Sequence, residues 1–352
     1  MKKELLVASA LVSTLGAAGI AEAASATFSG HQKVGITGQD TDSSSTNTKT
    51  ENQQSSFSVS ISETTDAGIK ISTGFDLAEE SGDGGTTTAD SSGLTLTFTD
   101  GSSVDLISAG TATGSHDVAV PGAGGEQGIT ATTANNAPTG LTMGSGSDGI
   151  GLEWHSAADA FGVDGLKASI SFASNDTARV TGAANTATIE NTYSVGVTYV
   201  TDAGDSTVTV GGGFASGSHN SAAATKDNEV WQIGITAVTG DLTVGAGYMD
   251  GDFINQEAQV NGSFASIGAK YVSGDMTFAV GGSSSEGVDE LYGIAGTSAA
   301  DGRDVVGASV AYTVASGVTA TVGFSDISDT NEGKGSNNTS GGAWYVGATV
   351  SF

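Results

Sequence analysis

From about residue 25 to the C-terminus, apolar side chains recur at every second position, the period of a β-strand. Phe57, Val59 and Ile61 alternate with Ser58, Ser60 and Ser62. Tyr193, Val195, Val197 and Tyr199 alternate with Ser194, Gly196 and Thr198. Trp344, Val346, Ala348, Val350 and Phe352 alternate with Tyr345, Gly347, Thr349 and Ser351. The pattern predicts sixteen strands: 25–37, 54–64, 68–77, 92–99, 102–108, 148–155, 164–174, 189–201, 205–215, 228–239, 241–250, 260–273, 275–283, 303–315, 317–325 and 342–352. Sixteen is an even number, and most segments reach the length at which a tilted strand crosses a bilayer.

The connections carry more information than the strands. Asp66-Ala67-Gly68, Asp100-Gly101, Asp202-Ala203-Gly204, Gly240-Asp241, Gly274-Asp275 and Ser316-Gly317 are tight-turn signals at even-to-odd junctions. The remaining junction of that kind, 156–163, is somewhat longer. Every odd-to-even junction is long: 38–53, 78–91, 109–147, 175–188, 216–227, 251–259, 284–302 and 326–341. This alternation puts the turns at one end of the strands and the loops at the other, the layout of a transmembrane barrel with periplasmic turns and extracellular loops. The aromatics agree. Phe57, Phe75, Phe172, Tyr193, Phe214, Trp231, Tyr248, Phe324 and Trp344 fall toward the loop ends. Phe28, Phe98, Trp154, Tyr199, Tyr271, Tyr312 and Phe352 fall toward the turn ends. Two such belts match the two membrane–water interfaces.

Composition narrows the classes. The chain has 54 Gly, two Pro and no Cys, which excludes disulfides, thiolate metal sites and cysteine catalysis. With 39 acidic against 11 basic residues it lacks the basic face of a nucleic-acid binder. Lys2 and Lys3, the apolar run Leu5 to Ile20 and the small-x-small motif Ala21-Glu22-Ala23 read as a signal peptide over 1–23, leaving 24–352 as the barrel domain. No later stretch is apolar enough for a membrane helix. In hydrocarbon every backbone N–H and C=O needs an internal partner, so the sheet must close on itself. The face opposite the apolar one carries Ser, Thr, Gly and charged residues, and sixteen strands enclose too wide a space for side chains to fill. The expected fold is an all-β, 16-stranded antiparallel barrel around a water-filled pore.

The sixteen strands, the export segment, the long connection at position three and the terminal Phe352 resemble a Gram-negative general porin of the alphaproteobacterial type. The resemblance implies a homotrimer in the outer membrane, in contact with lipid and lipopolysaccharide, that passes small hydrophilic solutes and ions without enzymatic activity or a required cofactor. It implies that Phe352 is read by the outer-membrane assembly machinery. It also implies that the third loop, 109–147, folds inward and narrows the barrel. Within it, Pro121-Gly122-Ala123-Gly124-Gly125-Glu126 resembles the Pro-Glu-Phe-Gly-Gly-Asp tip of enterobacterial porins at Pro121, Gly124, Gly125 and the acidic Glu126, and departs from it at Gly122 and Ala123. Porins of this family set basic wall residues against acidic loop residues. The corresponding residues here are Lys33, Lys70, Lys167 and Lys270 on the lumen-facing phase, Asp117 and Glu126 in the loop, and Asp105 and Glu153 on the lumen-facing phase nearby. Lysine also goes wherever water is, so a lumen position alone assigns no role.

His31 and His155 fall on lumen-facing phase, while His116 and His219 fall in loops. No Ser or Asp partner is assignable to them from sequence, so they read as solvated histidines. Asp250, Asp252, Asn255 and Glu257 make an oxygen-rich loop able to hold a structural Ca2+, although their spacing is not that of an EF-hand. Composition alone also fits a secreted structural or adhesive β-protein, such as a surface-layer or solenoid protein; the segregated loops and aromatic belts argue against it. A substrate-selective outer-membrane channel is the other alternative. It would carry an aromatic track along the lumen, where only Phe264 and Tyr345 have the right phase. The loop stretches hold 20 acidic and four basic residues, so the extracellular mouth is expected to favour cations weakly.

Overall fold

A computed structural model describes residues 24–41, 48–80, 87–106, 111–122, 150–174, 189–219, 228–255, 258–288, 300–331 and 339–352. The expected export segment and the loop stretch 123–147 lie outside these residues. Sixteen strands form: β1 Ser25–Thr41, β2 Thr48–Thr64, β3 Lys70–Glu80, β4 Thr87–Thr97, β5 Ser103–Leu106, β6 Ile150–His155, β7 Leu166–Ser174 and β8 Ile189–Ala203, followed by β9 Ser206–His219, β10 Asn228–Thr239, β11 Leu242–Asn255, β12 Ala258–Ser273, β13 Met276–Val288, β14 Ala300–Ala315, β15 Val318–Asn331 and β16 Thr339–Ser351. Each pairs antiparallel with its sequence neighbours, and β1 pairs with β16, so the sheet is a closed barrel. Closure is continued by Phe352 and Gly30, whose backbone N–H groups each donate to the other's carbonyl at 3.1 Å.

The alternation sorts side chains as the sequence requires. Ile233, Val195, Val280 and Val322 point outward and stay at least half exposed, a surface that needs lipid rather than water. The aromatic belts also face outward, with Phe172 against Tyr193 and Trp231 against Tyr248 across neighbouring strands. Phe57 departs from the sorting. Its ring stacks on that of Phe28, 6.1 Å away, so it belongs with the turn-side aromatics. All six tight turns form, and Gly68, Gly101, Gly204, Gly240, Gly274 and Gly317 each take the positive φ that an L side chain resists.

The loop side differs from expectation in one respect. The connection expected at 251–259 is reduced to two residues between Asn255 and Ala258, because β11 and β12 stay paired through Asp252↔Asn261 and Phe253↔Val260. Several other strands also outrun their apolar pattern: β13 reaches Val288 and β15 reaches Asn331. Beyond the hydrocarbon no outward apolar residue is required, so alternation in hydropathy stops while the backbone ladder continues. Asp250, Asp252 and Asn255 therefore sit on a strand rather than in a loop.

Candidate functional site

Among the described residues β5 and β6 are the shortest strands, four and six residues long, and residues 111–122 of the third loop lie inside the barrel. Residues Ala112–Ser115 form one helical turn capped by Thr111, whose Oγ1 accepts from the Gly114 N–H at 3.2 Å. The chain then runs inside the barrel across β7 to β13. Wall hydroxyls and amides satisfy its backbone: the Ala112 N–H donates to Ser171 Oγ at 3.0 Å and Ser194 Oγ at 2.8 Å, and Gln232 Nε2 donates to the Thr113 carbonyl at 2.6 Å.

The loop lies this close because the wall beneath it is glycine. Gly196, Gly211, Gly213, Gly234, Gly245, Gly247 and Gly268 hold lumen positions on β8 to β12 and pair into rows, Gly211↔Gly234↔Gly247 and Gly245↔Gly268↔Gly281 among them. A Cβ at Gly211 would stand 2.6 Å from the His116 carbonyl oxygen, and one at Gly234 would stand 2.8 Å from Val118 Cβ. At Gly196 and Gly268 it would collide with the carbonyl oxygens of Ala112 and Pro121. Glycine inside a strand marks a close backbone approach, and the approaching backbone is residues 112–122. The loop's path is thus written into the wall.

Where the loop leaves β5, a chain of polar groups joins it to the wall. His155 Nε2 is 3.0 Å from Asp105 Oδ2, and its Nδ1 is 2.9 Å from Ser169 Oγ. Ser169 Oγ is 2.9 Å from His116 Nε2, whose Nδ1 is 2.7 Å from Thr198 Oγ1. A neutral His155 donating from Nε2 to Asp105 must accept the Ser169 proton at Nδ1. His116 Nε2–H then donates to Ser169, and Thr198 donates to His116 Nδ1. Each tautomer fixes the next. His155 therefore has the Asp and Ser partners that sequence could not assign, and His116 is buried rather than solvated. The Ser169 hydroxyl is enclosed beneath the loop with both neighbours engaged, so it has no free face for a substrate carbonyl; the chain is a latch between loop and wall.

Burial lowers the His116 pKa below the ordinary histidine value, with the charges of His155 and Lys167 acting in the same direction. The surroundings of Asp117 desolvate its carboxylate and raise its pKa, against a hydrogen bond from the Val118 backbone.

The residues singled out by sequence fall into separate groups. Asp105 and Glu153 pair directly across β5 and β6, with His155 on the same face. Lys70 heads β3 on the row Lys70↔Thr97↔Ser103↔His155, and Lys167 pairs with Thr198, the partner of His116. Lys270 lies two residues from Gly268, where Pro121 docks. Lys33 stands apart on β1, eight strands and half the circumference from β9, over which His116 runs. Glu126 and Glu257 lie outside the described residues. Asp250 accepts a hydrogen bond from the Tyr248 hydroxyl at 3.2 Å. Sequence reasoning missed His116, Ser169, Thr198 and the glycine bed; the bed's signal was Gly alternating with Val or Ile, as in Val195-Gly196-Val197 and Ile233-Gly234-Ile235.

A profile of the Gram-negative porin family matches residues 8–332. Among solved structures, in-vitro folded OmpT in its trimer form, an outer membrane protein of Vibrio cholerae, aligns with a TM-score of 0.62 at 14% identity, covering 94% of this chain and 100% of that one. A triple mutant of Rhodopseudomonas blastica porin aligns with a TM-score of 0.59 at 13% identity, covering 93% of this chain and 100% of that one. No curated protein matches the chain. At such identities the structures establish a shared fold, while the profile covers nearly the whole sequence. The profile match over most of the chain, on a closed sixteen-stranded wall with an apolar exterior and a loop laid across the lumen, shows that the chain belongs to the Gram-negative porin family, as an outer-membrane channel protein.

Proposed function

We propose that the protein is a passive diffusion channel for small hydrophilic solutes and ions, with a weak preference for cations. The observation that carries this reading is residues 111–122 of the third loop docked inside a closed barrel, which narrows the lumen. The selectivity rests on charge. The extracellular stretches hold 20 acidic and four basic residues, and Asp105 and Glu153 add negative charge at the constriction. Such a mouth concentrates cations over about 10 Å at 0.1 M salt. Lys33 faces the docked loop from the opposite wall and supplies the positive side of a transverse field, while Lys70, Lys167 and Lys270 line the lumen toward the turn side.

In this reading residues 1–23 export the chain, Phe352 marks it for the assembly machinery, and the barrel works as a homotrimer among outer-membrane lipid and lipopolysaccharide, as the trimeric form of OmpT supports. In the same reading Asp250, Asp252, Asn255 and Glu257, an oxygen-rich set in the sequence, recruit a structural Ca2+. The test is the reversal potential of single channels under a tenfold KCl gradient. A cation-selective sign that fades with salt is expected; an anion-selective sign means that the lysines control the pore. Deleting residues 116–128 is expected to raise conductance, and an oligomer that resists detergent until heated is expected on gels.

A further inference from the structure

We propose that Asp105, Glu153 and His155 form a site for a divalent transition metal of the Zn2+ class on the wall of the constriction, and that its occupancy throttles the pore. The proposal rests on the channel reading above. Asp105 and Glu153 are directly paired across β5 and β6, and His155, two residues beyond Glu153, shares their face. One donor atom from each lies within 4.8 Å of the others. Two carboxylates and one imidazole suit Zn2+ and its first-row neighbours, whereas Ca2+ and Mg2+ favour all-oxygen sets.

A second observation points to a ligand. The Glu153 side chain is 1% exposed. The Ser115 hydroxyl hydrogen-bonds this carboxylate, yet its Oε1, which stands 3.8 Å from His155 Nδ1, has no hydrogen-bond partner among the described residues. A buried carboxylate oxygen in that condition is costly, and a cation would complete it. The site is also open where it must be. The Asp105 and His155 side chains are 29% and 27% exposed, so lumen water can fill the remaining coordination positions.

The surrounding groups are those that orient metal ligands. The Thr95 hydroxyl donates to Asp105 Oδ1, leaving Oδ2 toward His155, and Ser169 holds the ring nitrogen of His155 that the metal would not use. Binding at Nε2 displaces the proton shared with Asp105 and leaves the ring proton on Nδ1. That nitrogen then donates to Ser169, Ser169 donates to His116 Nε2, and His116 Nδ1–H donates to Thr198. The latch reverses with the three bonds from His155 Nδ1 through Ser169 and His116 to Thr198 retained, so metal at the wall sets the tautomer of a histidine on the loop. Occupancy also cancels the two carboxylate charges that draw cations into the constriction.

The experiment uses the full-length, metal-stripped oligomer in detergent and in planar bilayers. Calorimetry with ZnCl2 is expected to give one site per chain, and Co2+ is expected to give a visible spectrum of mixed nitrogen and oxygen ligation that Zn2+ abolishes. Zn2+ should lower unitary conductance and weaken cation preference, with Ca2+ at the same concentration having less effect. Glu153→Gln and His155→Gln should each weaken Zn2+ binding by about tenfold or more. Absence of Zn2+ binding to the wild type, a Co2+ spectrum of oxygen ligation alone, Ca2+ as effective as Zn2+, or Zn2+ block unchanged in both variants each overturns the proposal. The wild-type measurements do not depend on either variant folding. Failure to form channels at all overturns the diffusion reading instead, and calorimetry still reports on the site.

Discussion

Two parts of the wall use glycine for opposite purposes. Along β8 to β12 glycine clears the lumen face for a foreign segment, the third loop. At the closing seam between β16 and β1 it clears space for aromatic rings of the wall itself. Tyr345, 2% exposed, lies where side chains on Gly35 and Gly347 would stand; Trp344 covers Gly38; and Phe352 covers Gly30 on the outer surface. Gly30 is thus masked by a ring of its own chain. A ring over a glycine across a strand pair replaces lost β-propensity with aromatic contact and pins the register. The seam stabilises closure. The bed has little stabilising effect of its own and instead sets the width of the pore.

Tyr345→Ala gives the sharpest separation. Removing a buried ring costs about 3–5 kcal/mol, so the temperature at which the oligomer dissociates on gels should fall clearly. The third loop is untouched, so unitary conductance should stay near that of the wild type. Gly268→Val is the converse, because its side chain enters the space of the Pro121 carbonyl. Overpacking costs about 1–3 kcal/mol, and the loop can yield more readily than the hydrogen-bonded wall. Conductance should rise severalfold with smaller loss of heat stability. If both variants changed the same observable, the two regions would not be distinct in function.

His116→Ala tests the latch with a smaller effect. It deletes the bonds to Ser169 and Thr198, each worth about 1 kcal/mol. The loop should stay docked through Ala112 and Gln232 but fluctuate, seen as increased open-channel noise. The smallest effect is on pH. Desolvation raises the Asp117 pKa, so as pH falls this carboxylate loses its charge before ordinary ones do. Cation preference should begin to drop above the usual carboxylate range, and Asp117→Asn should remove that early step from the reversal-potential titration.

The barrel was legible because bilayer and backbone leave few options: alternation, turn chemistry and loop segregation each give the same sixteen strands. The site was legible only in part. Asp105 and Glu153 are marked by phase, since a charge on a lumen position is visible in the sequence. Their meeting with His155 depends on register across β5 and β6, which no local pattern fixes. His116 looks like any loop histidine until residues 111–122 are laid on the wall. Strand ends beyond the membrane were misread because hydropathy reports the solvent, whereas pairing depends on the backbone.

The third loop's bed also imposes an order on assembly. Gly122 approaches Val280 on β13, and Pro121 approaches Gly245 and Gly268 on β11 and β12. A segment that ends at residue 122 therefore cannot reach its final place until strands from the last third of the chain stand beside it. While those strands are unpaired the loop has nothing to dock on, and so long-range a contact forms late. A nascent barrel therefore passes through a wide-bore stage, and its calibre is set by one of the last contacts to form.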